Sequence, residues 1–196
     1  MYTPKPFSFD NASEIEGFIS ENSFATLISC EESEPLITHA PLIRLSNKAL
    51  VGHFASSNPH AQIKSGSSIT AIFHGAHAYI SPKYYKSEFN VPTWNYICVH
   101  CKGKIEFIDS DELSWNYFKE MVEFYEEEND WTLPEEERYK KLLSLIRFFK
   151  ITNETFHGKA KLSQNKTQED IRSVINNLEK PNQYEISKAM KDFNSF

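Results

Sequence analysis

Apolar and polar residues alternate with period two over much of this chain, and each alternating run ends in a turn signal. Between residues 96 and 108, Ile97, Val99, Cys101, Ile105 and Phe107 share one parity, while Tyr96, His100, Lys102, Lys104 and Glu106 take the other. That is the period of a half-buried strand, with Gly103 marking a bulge or a point of close approach. Further strands are expected over 24–30, over 36–45 with Pro41 implying an edge or a bulge, and over 49–55. Residues 68–80 are apolar on both parities, as in a strand covered on both sides, and 148–162 give one more strand or hairpin. Pro82 and Pro92 each lack a ladder donor, so the stretch from Tyr79 through Tyr84, Tyr85, Trp94, Asn95 and Tyr96 is predicted to start as an irregular loop. A loop this rich in rings serves a ligand or a partner surface, or is simply pinned by burying them.

A 3.6-residue period governs the remainder. Asp10 and Asn11 cap a first helix carrying Ile15, Phe18 and Ile19. Residues 110–128 place Leu113, Tyr117, Phe118, Met121, Val122 and Tyr125 on one stripe. A helix starting near Thr132, with Pro134 in its first turn, carries Tyr139, Leu142, Leu143 and Ile146. Thr167, with Asp170 three residues on, caps a helix with the stripe Ile171, Val174, Ile175 and Leu178. Pro181 ends it, and Tyr184 to Phe193 forms a short last helix. Short strands, tight polar turns and no crossover long enough for βαβ units predict an antiparallel β-barrel or sandwich with peripheral helices, an α+β chain.

At 196 residues the chain builds one core without staples. It shows no charged-then-apolar leader and no apolar run near membrane length, and its three cysteines are odd in number, so a cytoplasmic setting is expected. Cys98 and Cys101 share a C-x-x-C spacing, but on a strand they face opposite ways, which disfavours zinc and favours reduced buried thiols. Net charge is −6, with nine acidic residues and no Lys or Arg between Glu120 and Glu137. A phosphate-backbone binder wants a concentrated basic face, so direct nucleic-acid binding is disfavoured.

Three stretches carry candidate chemistry. In Gly52-His53-Phe54-Ala55-Ser56-Ser57-Asn58-Pro59-His60, Asn58 caps a short helix with Pro59 at its first position. Its amides, with Ser56, Ser57, His60 and Lys64, form either a cradle for one phosphate group or an ordinary capped turn. In Val91-Pro92-Thr93-Trp94-Asn95-Tyr96, Thr93, Trp94 and Asn95 supply the hydroxyl, ring and amide that a flat heteroaromatic ligand needs. The third, Lys161-Leu162-Ser163-Gln164-Asn165, is polar between a strand and a helix cap, and also fits a connecting turn. The seven histidines show no metal-binding spacing, and no catalytic Ser elbow, Walker loop or dinucleotide fingerprint occurs.

The opening Met-Tyr-Thr-Pro-Lys-Pro-Phe, Thr38-His39-Ala40-Pro41, Gly52-His53 with Asn58-Pro59, and Tyr79-Ile80-Ser81-Pro82 occur in that order. They are followed by Val91-Pro-Thr-Trp-Asn-Tyr96 with Val99-His100, and by Lys161-Leu-Ser-Gln-Asn165. Together they resemble the PaiB-type family of FMN-binding proteins, also labelled transcriptional regulators, over nearly the whole chain. The resemblance implies the flavin split barrel, the fold of pyridoxamine phosphate oxidases, in which two chains pair and FMN lies at their interface. It further implies a split-barrel domain over 1–165, with a helical insertion at 110–147 and a C-terminal helical segment at 166–196 packed on the barrel. The implied FMN contacts are His53, Ser56, Ser57, Asn58, His60, Lys64, Thr93, Trp94, Asn95, Lys161, Ser163, Gln164 and Asn165. Split-barrel oxidases carry Arg or Lys in the phosphate turn, whereas this chain has Ser-Ser-Asn-Pro-His with Lys64 the nearest cation. The expectation is thus an FMN-binding homodimer, with oxidoreductase activity left open. The alternatives are a transcriptional regulator without flavin, acting on DNA or through a partner, and a haem-binding split barrel using His53 or His100.

Overall fold

The architecture comes from a computed structural model, which describes every residue except 32, 130, 181–182 and 195–196. Among the described residues seven strands are present: β1 (Ser8–Phe9), β2 (Phe24–Glu31), β3 (Glu34–Arg44), β4 (Leu50–Ala55), β5 (Ser68–Ile80), β6 (Thr93–Phe107) and β7 (Ile146–Lys161). They form one antiparallel sheet in the order β1-β7-β4-β3-β2-β5-β6, with a further β6–β7 pairing that closes the ring. The expected barrel is therefore the one observed. The α-helices of the described residues are α1 (Ala12–Glu21), α2 (Asp111–Glu126), α3 (Glu137–Lys140), α4 (Gln168–Glu179) and α5 (Tyr184–Asn194). Among the described residues no helix is long and apolar enough to cross a membrane.

The chain divides into two compact units. Unit 1 takes Met1–Phe18, His74–His100 and His157–Phe196; unit 2 takes Ile19–Phe73 and Cys101–Phe156. Unit 2 is built on the β2–β3 hairpin, paired from Phe24↔Pro41 to Glu31↔Glu34. β3 continues onto β4 from Leu42↔Gly52, and β4 pairs with β7 from Leu50↔Ile151 to Ala55↔Ile146. The inward parity of these strands buries Leu27, Leu42, Leu50, Phe54, Phe73 and Phe149 almost completely, and the Phe54 and Phe149 rings stack at 4.4 Å. Pro41 is the last β3 residue paired with β2, and among the described residues β3 pairs with β4 only from Leu42 to Arg44, so Pro41 lies on the stretch of β3 whose second side is an edge, as its missing N–H leads one to expect.

Helix α2 buries a face rotated from the expected one. Ser114, Trp115, Tyr117 and Met121 go inward, with Tyr117 and Met121 packed against Ile43, Val51 and Phe148, while Leu113 and Tyr125 stay exposed. The helix expected from Thr132 is reduced to α3 and a 3-10 turn over Lys141–Leu145, because Ile146 is drawn into the β7 ladder opposite Ala55.

In unit 1, Ser8 and Phe9 pair with Lys159 and Gly158, and the Phe9 ring meets Phe18 and Phe193 edge-on. Helix α4 buries Ile171, Val174, Ile175 and Leu178 as its sequence stripe dictates, against α5 with its buried Ile186 and Met190. The Thr167 hydroxyl accepts from the Asp170 amide at 3.2 Å, so the expected cap is in place. Pro181, expected to stop α4, lies outside the described residues.

All three cysteines are free. Cys30 is exposed; Cys98 is buried with its Sγ 3.6 Å from the Met1 Sδ. Burial pushes the Cys101 thiol up to about 12, with Glu154 adding to the rise and Arg44 opposing it.

Gly103 is a point of close approach rather than a bulge of convenience. A Cβ there would lie 2.5 Å from Ile151 Cγ2 and 2.6 Å from the Thr152 carbonyl oxygen. Gly103→Ala is expected to lower stability by about 1–3 kcal/mol, read as an earlier midpoint in chemical denaturation. An unchanged midpoint would mean that β7 yields without strain.

Candidate functional site

The thirteen residues expected to contact a cofactor fall into two sets, one in each unit. His53, Ser56, Ser57, Asn58, His60 and Lys64 belong to unit 2, and Thr93, Trp94, Asn95, Lys161, Ser163, Gln164 and Asn165 to unit 1.

The unit 2 set surrounds the exit from β4. As the sequence implies, Asn58 caps a 3-10 turn over Pro59–Gln62, its Oδ1 accepting from the His60 amide at 2.9 Å. That oxygen also accepts from the Thr38 hydroxyl at 3.3 Å, and the same hydroxyl lies 2.7 Å from His60 Nδ1. His60 is buried, stacked on Phe54 at 5.2 Å, with Nε2 unpartnered among the described residues; burial lowers its pKa, which favours the neutral ring. Ser56 is spent on the segment before β7: its amide donates to the Leu145 carbonyl at 2.8 Å and its hydroxyl to the Ser144 carbonyl at 3.2 Å. The exposed members are Ser57 and Lys64. His53 packs on Phe148 at 5.3 Å with its Nδ1 enclosed and unpartnered, and burial lowers its pKa.

The unit 1 set is arranged by strand parity. Thr93, Trp94 and Asn95 are not loop residues, since β6 begins at Thr93. Consecutive side chains therefore leave on opposite faces, which separates the Trp94 indole from Thr93 and Asn95. Trp94 stands 55 % exposed beside His77 and Tyr79, with ring centroids 6.2 and 6.1 Å away. On that face an apolar groove of about 350 Å³ is lined by His74, His77, Trp94, Tyr96, Ile97 and Cys98.

Asn95 points the other way and is fully buried. Its Nδ2 donates to the Ser163 hydroxyl at 3.0 Å and approaches the Met190 sulfur at 3.4 Å. Ser163 holds a left-handed backbone, φ 67°, in the turn after β7. Gln164 braces that turn, accepting from the Leu162 amide at 2.7 Å and donating to the Ala160 carbonyl at 2.6 Å. Lys161, the end of β7, reaches across to donate to the Thr93 hydroxyl and, at 2.7 Å, to the Trp94 carbonyl. Burial lowers its pKa, and the charges of Lys159 and Lys166 lower it further. Thr93, Asn95, Lys161, Ser163 and Asn165 thereby share one pocket of about 220 Å³ with Phe7, Tyr85, Val91 and Lys166.

Three contributors lie outside the thirteen expected contacts, although Tyr85 belongs to the ring-rich loop singled out from the sequence. Lys166, one residue past the Lys161–Asn165 block, lies over the Tyr85 ring at 5.2 Å and donates to Asn90 Oδ1 at 2.6 Å. Tyr85 approaches the Ser163 hydroxyl at 3.4 Å. Asp170, legible only as a cap residue, is buried and fastens the loop that carries Tyr85. Its carboxylate accepts from the Lys86 and Ser87 amides at 2.8 and 3.0 Å and from the Ser87 hydroxyl at 2.8 Å.

The Ser87 amide, with the Ser87 hydroxyl, the Lys86 amide and Thr167, holds the Asp170 carboxyl at about 2, against the opposing push of burial. A depressed carboxyl stabilises the fold above its ordinary value of 3.8, and that contribution is lost as the pH falls through about 2. Asp170→Asn is expected to destabilise the protein at neutral pH and to flatten this acid limb. A denaturation series between neutral and acid pH checks it; parallel curves for the two proteins would refute the anchor.

A family profile described as "Putative FMN-binding domain" matches residues 1–155. The protease synthase and sporulation protein PAI 2 of Bacillus subtilis is 37 % identical over 98 % of this chain and 97 % of its own length. Among solved structures, a FAD and heme binding protein of Mycobacterium smegmatis superposes with a TM-score of 0.64 at 14 % identity, over 85 % of this chain and 79 % of the other. The flavocytochrome Anf3 of Azotobacter vinelandii does so at 0.61 and 12 %, over 79 % and 69 %. At these identities the structural likeness is one of fold, the flavin-binding split barrel.

Proposed function

The chain belongs to the family of putative FMN-binding domains, and from that membership we propose that it binds FMN as a homodimer, using the unit 1 pocket. The observation that supports this is the meeting of two separated sequence blocks, Thr93–Asn95 and Lys161–Asn165, around one cavity that mixes hydroxyl, amide and ammonium donors with the apolar walls of Phe7, Tyr85 and Val91. Ligand sites of this kind combine apolar walls with a few fixed polar groups. Of the unit 2 set, Ser57 and Lys64 are the members with exposed polar ends, and any contact there falls to them.

The homodimer is supported by surface chemistry. His77, Tyr79 and Trp94 form an exposed aromatic cluster, with Val91 63 % and Phe89 93 % exposed in the same unit. Aromatic residues in such number are typical of the core of a protein interface. Bound FMN would supply hydride or single-electron transfer. The chain's own residues would hold and orient it: Asn95 and Ser163 as a fixed polar pair, Lys161 as a cation tied down by Thr93 and Trp94.

Absorbance and size-exclusion measurements on the purified protein test both parts. The flavin bands are expected to shift when FMN is added, and the protein to elute as a dimer. Asn95→Ala leaves the Ser163 hydroxyl without its amide partner and is expected to cost about 1–3 kcal/mol of stability and to weaken flavin uptake. Wild-type protein that stays colourless and leaves the FMN spectrum unchanged would defeat the reading.

A further inference from the structure

Unit 1 gathers three lysines that no carboxylate answers among the described residues. Lys159 donates to the Tyr2 carbonyl and lies over the Tyr2 and Tyr96 rings; Lys161 donates to Thr93 and the Trp94 carbonyl, and Lys166 donates to Asn90 and lies over the Tyr85 ring, all of them neutral partners. The six ion pairs among the described residues include none of the three. Asp170, a buried carboxylate of the same unit, is occupied by Lys86 and Ser87. Lys161 and Lys166 both line the 220 Å³ pocket, and among the described residues no acidic one does. Partly buried ammonium groups without a counter-charge are costly, and a bound anion offsets that cost.

The dimensions narrow the choice of anion. A cavity of about 220 Å³ falls below the ~300–1,000 Å³ that encloses a whole drug-sized ligand. It admits a compact end and not a three-ring plate. Its donors come from several directions: two ammonium groups, the Thr93 and Ser163 hydroxyls, and the Asn165 amide. A tetrahedral group with three acceptor oxygens and nearly two charges uses such a set more fully than a planar carboxylate does.

We propose that the pocket between Lys161 and Lys166 is a receptor for a phosphomonoester dianion, and that it seats the 5′-phosphate of FMN in place of the Ser56–Asn58 turn. The second half of this rests on the flavin reading above; the first does not. The turn is a poor competitor, because Ser56 spends both its amide and its hydroxyl on carbonyls, and the Asn58 oxygen already accepts from two donors.

Calorimetric titration of the full-length protein with FMN, riboflavin and inorganic phosphate, with phosphorus NMR for the last, tests the assignment. Lys166→Ala is the primary variant, since Lys166 supports no backbone carbonyl. Lys161→Met is the second, and matched denaturation curves certify that each folds. FMN is expected to bind wild type about tenfold or more tighter than riboflavin, as one charge-assisted contact allows. Lys166→Ala should erase most of that ratio while leaving riboflavin affinity unchanged. Should FMN and riboflavin bind alike, or the ratio survive both variants, the assignment fails while flavin binding stands. Loss of the ratio in Ser57→Ala instead would return the phosphate to the turn and also overturn it. If neither flavin binds yet inorganic phosphate does, dependent on Lys166, the anion receptor stands and the flavin reading falls.

Discussion

A primary amide with no access to water must find its hydrogen bonds inside the protein, and Asn95 is such a group. Its needs tie together three stretches far apart in the chain: the start of β6, the turn after β7, and α5 through Met190. Ser163 meets the amide only because the turn takes a left-handed step there, and Gln164 closes that turn with two short bonds of its own. Lys161, two residues earlier, is then delivered beside Thr93. The pocket of unit 1 follows from satisfying one buried side chain.

The same reasoning separates Gln164 from its neighbours. It lies within a polar block that looks uniformly suited to a ligand, yet both ends of its amide are consumed by Leu162 and Ala160. Asn58 and Ser56 in unit 2 are likewise consumed, by His60, Thr38 and the carbonyls ahead of β7. Polar residues in such a turn divide into those that hold the turn and those that do not. Here the Lys161 and Lys166 ammonium groups serve neither turn: they go to Thr93, the Trp94 carbonyl and Asn90, and line the pocket with Asn165, while Ser57 and Lys64 are the exposed polar members of the unit 2 set.

Much of the fold could be read in advance because local rules and tertiary structure agree. The expected strands became β2 to β7, the Asn58 and Thr167 caps formed as spaced, and the α4 stripe is the buried one. Disagreement arose where a distant partner decided the outcome. Pro92 and a cluster of rings suggest a loop through residue 95, but β6 starts at Thr93 and its alternation puts Trp94 on the other face. Ile146 fits a helical stripe, but the free edge of β4 claims it. Asp170 looks like a cap residue, and nothing local reveals that its carboxylate reaches back more than eighty residues to Lys86 and Ser87. The two sets of site residues were legible as residue types; their division between units was not, because it depends on where long strands pass from one compact unit to the other.

The three thiols respond to their surroundings in different ways. Cys98 and Cys101 are shielded, and burial keeps both protonated at neutral pH, whereas Cys30, next to the last residue of β2, is exposed opposite Pro35. Thiolate is the reactive form, so a maleimide or a mild oxidant meets a protein with effectively one nucleophilic sulfur. A dye or spin probe placed there would report from the hairpin of unit 2 alone, with the strand that frames the unit 1 pocket left chemically untouched.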